Sequence, residues 1–181
     1  TNSPLSSMKN NRIVFRSVLV TAVAILAAIN IFLLADWNKN VDKVPPVGKG
    51  NVAVFYAEMS GSMRISDIAT TEQYIYFAYS TPGVVAVYDW NGQYQCSYAF
   101  YRGTNGVLGI GCENEMVYVH DYAGYEFVFS GIDNVAVYDS ENSLHMSGWF
   151  HRNDAITVVV DKGNVYDLSG NFIMSVPGRL K

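Results

Sequence analysis

Apolar and polar positions along this chain follow two regimes. Ser17 to Ala35 (SVLVTAVAILAAINIFLLA) is an uncharged run of 19 residues whose only clearly polar members are Ser17, Thr21 and Asn30. As a helix rising 1.5 Å per residue it spans about 28 Å, the thickness of a bilayer's hydrocarbon core. The pattern therefore predicts one transmembrane helix over residues 17–35. A buried helix of a soluble core is the weaker reading, because no other segment has a helical period long enough to pack around it. A cleaved signal peptide would carry a shorter apolar region and a small-x-small site, whereas this run ends Leu33-Leu34-Ala35-Asp36.

Beyond Pro46 the apolar period changes from helical to alternating. Asp36 to Gly50 (DWNKNVDKVPPVGKG) is polar and holds Pro45-Pro46, which predicts an extended spacer. Strands are predicted at Asn51–Glu58, Arg64–Thr70, Tyr74–Ser80, Val84–Asp89 and Gln93–Phe100. Asn91-Gly92 joins the last two, and both residues tolerate the positive φ of a tight hairpin. Strands follow at Gly106–Cys112, Met116–Asp121, Tyr125–Phe129 and Asn134–Asp139. A last group comprises Met146–Phe150, Ala155–Asp161, Asn164–Leu168 and Asn171–Val176. No helical period longer than a turn recurs.

These strands repeat in fours. Tyr76, Tyr118 and Thr157 align on the second strands, and Tyr88, Phe129 and Tyr166 on the third, with a period of about 40 residues. Tyr-Asp-Trp-Asn-Gly at 88–92 and Tyr-Asp-Leu-Ser-Gly at 166–170 are one hairpin met twice. Over about Arg64–Val176 the pattern resembles β-propeller repeats of the NHL-like kind, with an aromatic-apolar strand, a V-x-V-Y/F-D-x-x-G hairpin and a closing strand. The resemblance is generic. It implies an all-β, propeller-like array of short antiparallel four-stranded sheets, and an interaction or ligand-presenting scaffold. Three such units and a lone strand at 51–58 are too few to close a ring, which normally takes at least four. The lone strand could begin or complete a partial fourth sheet, two chains could combine into a six-bladed ring, or the domain could be an open, curved stack capped by a partner.

Charge supplies direction. Lys9, Arg12 and Arg16 precede the apolar run and no acid does; all 16 acidic residues follow it. Basic residues stay on the cytoplasmic side, so the N-terminus is expected inside and the sheets outside. Met8-Lys9-Asn10-Asn11-Arg12 has the character of a natural beginning, with Thr1–Ser7 ahead of it. An acidic outer part with no basic stripe argues against nucleic acid as a partner. Half the residues are apolar and 14 % aromatic, too many for a disordered tail.

Candidate chemistry is sparse. His120-Asp121 closes a strand and has the residue types of a base with its orienter, but no nucleophile motif accompanies it. His145 and His151 share a strand face by parity, yet no third metal ligand is evident. Gly106-x-x-Gly109-x-Gly111 reverses the dinucleotide fingerprint and precedes a strand, not a helix. Asp89, Asp139 and Asp167 recur where turns are expected. Cys96 and Cys112 are the only two cysteines, and an outside location would permit a disulfide between them. Thirteen tyrosines and three tryptophans suit packing between sheets; Trp90, at a hairpin tip, is the candidate ligand contact.

These readings describe a cytoplasmic segment (1–16), a transmembrane helix (17–35), a spacer (36–50) and an extracytoplasmic β domain (51–181). The expected function is a single-pass, membrane-anchored protein-interaction or sensing scaffold. No enzymatic activity, cofactor or metal is expected. Its partners would be lipid, through residues 17–35, and another protein or a second copy of itself. A glycan-binding module at the cell surface is the alternative.

Overall fold

A computed structural model describes residues 4–59, 63–101, 107–121, 125–130, 132, 134–138 and 158–178, with backbone alone at 4–14, 107–108 and 134–138. The chain divides into two units, residues 1–38 and 39–181, each considered by itself.

The first unit is helical. α1 runs Pro4–Val41, and its stretch Phe15–Val41, 27 residues, is long and apolar enough to cross a membrane. Val18, Leu19, Val20 and Phe32 are all exposed, and at about 100° per residue they point to different sides, so the helix is apolar around its girth, the pattern of a membrane span or of a helix buried in a large core. Its polar side chains bond back onto the helix. Thr21 Oγ1 donates to the Ser17 carbonyl (2.9 Å) and Asn30 Nδ2 to that of Leu26 (2.8 Å), one turn back in each case, which suits them to an apolar solvent.

Among the described residues of the second unit there are twelve strands: β1 Val52–Phe55, β2 Ile65–Thr70, β3 Tyr74–Tyr79, β4 Val84–Asp89, β5 Tyr94–Phe100, β6 Val107–Glu113, β7 Met116–Asp121, β8 Glu126–Ser130, β9 Asn134–Tyr138, β10 Val158–Asp161, β11 Asn164–Asp167 and β12 Phe172–Ser175. All pairings are antiparallel. The first sheet has the order β1-β5-β4-β3-β2, the second β6-β7-β8-β9 and the third β10-β11-β12. Alternating positions and turn residues therefore located the strands correctly. The strand expected at Met146–Phe150 lies outside the described residues. The lone N-terminal strand does not begin or complete a fourth sheet among the described residues. It joins the first sheet as a fifth strand, Val52 to Phe55 lying opposite Phe100 to Ser97.

Two apolar layers cover both faces of the first sheet. On one face Tyr76, Val85, Val87, Cys96, Tyr98 and Phe100 pack against Val117, Val119, Phe127 and Phe129 of the second sheet. On the other, Ile75, Phe77, Tyr79, Val84 and Tyr88 pack against Val158, Val165 and Met174 of the third. The sheets thus stack third, first, second, with the earliest in sequence at the centre. This explains why β3 and β4 are apolar almost throughout: a sheet buried on both faces has no polar side to alternate with.

The spacer differs from its expectation. Asp36–Val41 is helical, since the first helix breaker is Pro45 and the residue before a proline disfavours the α region. Nor are the following residues free of the sheets. Asn40 and Val44 are buried, Val47 packs on the same layer as the third sheet, and Lys43 Nζ donates to the Glu58 carbonyl (2.9 Å).

Candidate functional site

Two groups of polar side chains stand out within the sheet unit. The first lies on the face of the first sheet that meets the third. Tyr79, Tyr88 and Tyr94 come from β3, β4 and β5, with ring centroids of Tyr88 and Tyr94 5.6 Å apart, edge to face. Their hydroxyls all have partners. Tyr88 donates to Glu58 Oε1 (2.8 Å), Tyr79 to the Pro177 carbonyl (2.6 Å), and Tyr94 shares a hydrogen bond with Ser97 Oγ (2.9 Å). Burial, and secondarily nearby groups including the Glu58 charge, push all three hydroxyls above the ordinary tyrosine range. Burial therefore favours the neutral, donating form of all three. The cluster ties the Glu58 segment and the chain after β12 to the central sheet.

The second group lies on the second sheet. His120 and Glu126 stand directly opposite on β7 and β8, with Nε2 2.6 Å from Oε2. Asp121, one residue on, faces the other way, as pleating requires. Its Oδ1 accepts the Tyr125 amide (2.9 Å), closing the hairpin. Thus His120 and Asp121 do not form one diad; each has its own task. Sequence reasoning missed Glu126, although the short loop between β7 and β8 placed it opposite His120. A histidine oriented by a carboxylate can relay a proton. Among the described residues no three metal-ligating side chains cluster; His145 and His151 lie outside them.

The remaining candidates take structural places. Trp90 is half-buried against the layer between first and third sheets, and its Nε1 donates to the Thr71 carbonyl (3.1 Å). The candidate ligand contact is thus pinned along the turn before β3. Cys96 and Cys112 are buried thiols in the layer between first and second sheets. That layer also holds the Tyr76 hydroxyl, buried without a well-formed hydrogen bond. Asp89 and Asp167 brace their turns: Asp89 Oδ1 accepts the amides of Asn91 and Gln93 (2.9 Å each), and Asp167 Oδ1 that of Asn171 (2.8 Å). Gly109 sits at a register shift of β6, where the Ile110 amide donates to Asp67 Oδ2 of β2 (3.3 Å). Asp139 lies outside the described residues.

Comparison with models of known protein families and with curated protein sequences found no match.

Proposed function

We propose that this is a single-pass membrane protein, N-terminus cytoplasmic, that holds a propeller-like array of sheets outside the membrane as an interaction or sensing scaffold. The observation that carries this reading is the combination of a lipid-suited helix, Phe15–Val41, with sheets in which Tyr79, Tyr88, Trp90, Asp89 and Asp167 are engaged in holding the fold. The basic flank Lys9, Arg12 and Arg16 supports the orientation. Support for a radial array comes from β2 and β6, the leading strands of consecutive repeats. They lie side by side, and each carries a register shift at the same place in its repeat, Ile65/Asp67 and Val107/Gly109.

The scaffold reading and the glycan-binding alternative separate by experiment. Membranes extracted with alkaline carbonate are expected to retain the chain. Calorimetric titration of the purified full chain, in micelles, with soluble cell-wall glycan fragments is expected to give no saturable heat. A saturable heat that disappears in Trp90→Ala would replace the scaffold with a glycan module.

A further inference from the structure

Among the described residues nothing of this chain covers the span Phe15–Val41; no residue of its most apolar stretch is buried. Asn30 is exposed on it. A side-chain amide carries two N–H donors and a carbonyl acceptor. One donor of Asn30 reaches the Leu26 carbonyl. The other donor and the Oδ1 acceptor meet no partner among the described residues. Asp36, the first charged residue after Asn30, is six positions on, about 9 Å of helical rise away. The short side chain of Asn30 cannot snorkel that far to the headgroups, as a lysine would. Hydrocarbon offers no hydrogen bonds, so the leftover donor and acceptor are satisfied only by another protein segment in the membrane.

The stripe around Asn30 has the spacing for a second helix. Leu19, Leu26 and Leu33 recur every seven residues, and so do Val23, Asn30 and Trp37. The two sets interleave at steps of four and three, which are the a and d positions of a heptad. The leucines fall at d, and Val23 and Asn30 fall at a. Leucine at d, with a β-branched residue and a single asparagine at a, favours two parallel helices in one register. Leu19, Val23 and Leu26 are exposed along this seam. In lipid the leucines supply packing only, and the amide supplies the polar attraction.

We infer that the Leu19–Trp37 seam docks on the same seam of a second copy of this chain, Asn30 against Asn30. Copies inserted in one orientation lie parallel, so each residue stands at the same depth in both. About a two-fold axis along the membrane normal, a residue near the axis meets its own counterpart. The amide is self-complementary. Nδ2 of each copy donates to Oδ1 of the other, using the two groups that the bond to Leu26 leaves over. This selects the occupant: a second copy necessarily brings an amide to that depth, on a matching seam. The inference rests on the reading of Phe15–Val41 as a membrane span and specifies a partner for the anchored scaffold.

The test introduces one cysteine at a time into the full chain and oxidises membranes that contain it with copper phenanthroline. Leu26→Cys and Leu33→Cys are expected to give a product of twice the chain's mass that contains only its peptides. Ala28→Cys, half a turn round the helix, is expected to give none, and neither is the unaltered chain, whose Cys96 and Cys112 are buried. Light scattering of the full chain in micelles is expected to show a dimer. Asn30→Leu, which leaves the span more apolar, is expected to weaken that dimer about tenfold in concentration, and Asn30→Gln, which keeps the amide, to weaken it less. A monomer at all concentrations, a dimer indifferent to Asn30→Leu, equal cross-linking from Ala28→Cys, or cross-links to other proteins only would overturn the inference. Release of the chain by alkaline carbonate would remove the membrane reading itself, whereas a retained monomer would remove this inference alone.

Discussion

At the scale of single residues, the tyrosines explain most. Alternation alone marks Tyr76, Tyr79 and Tyr88 as strand residues; the structure shows why each is a tyrosine and not a phenylalanine at two of these sites. Tyr79 reaches Pro177 and Tyr88 reaches Glu58, contacts across 98 and 30 residues that no local pattern announces. Tyr79→Phe leaves the Pro177 carbonyl without its donor and is expected to cost about 1–2 kcal/mol, read from urea unfolding of the full chain in micelles. An unchanged midpoint would mean that the hydroxyl contributes nothing. The same side chains set a pH limit. Burial raises the hydroxyls of Tyr76, Tyr79 and Tyr88 above their ordinary value. The folded chain then keeps protons that the unfolded chain releases, so stability is full below the unfolded value near 10 and falls as pH rises through it. Urea midpoints are expected to hold to about pH 9 and then decline. A midpoint that stays flat to about pH 11 would mean that the hydroxyls ionise freely in the fold.

At the scale of elements, two equivalent turns give the sharpest contrast. Gly92 and Gly170 both have positive φ, where any side chain is strained by about 1–2 kcal/mol. A Cβ at Gly170 meets nothing within 4 Å, whereas one at Gly92 would stand 2.8 Å from Met174 Cβ and 3.0 Å from the Ile173 carbonyl oxygen. Gly170→Ala is therefore expected to cost only the backbone strain. Gly92→Ala should cost about 1–3 kcal/mol more, because the third sheet must shift; equal losses in denaturation would argue against that sheet's seat on the first. The existence of the strands was legible because alternation and turn residues are local signals. Their assembly was not. Nothing in Asn51–Glu58 says that it pairs with β5 across more than forty intervening positions. Nor does Asp36–Val41, which has no helix breaker, reveal that the helix continues through it. The site was less legible still, since His120 meets Glu126 through hairpin register while its sequence neighbour Asp121 points away.

At the scale of the whole molecule, a lipid-suited helix precedes sheets that we propose stand outside the membrane. Composition made the helix plain, because a long uncharged apolar segment stands out in a chain otherwise patterned for sheets. The order of stacking was hidden, since it depends on which apolar faces meet and all three sheets carry similar ones. The native thiols make a direct test of placement feasible: Cys96 and Cys112 are buried and will react slowly, while Leu168 is well exposed. The measurement is labelling of Leu168→Cys by a membrane-impermeant maleimide on spheroplasts expressing the full chain. Rapid labelling of intact spheroplasts, equal to that after permeabilisation, is the result predicted. Labelling that requires permeabilisation would put the sheets on the cytoplasmic side and contradict the account.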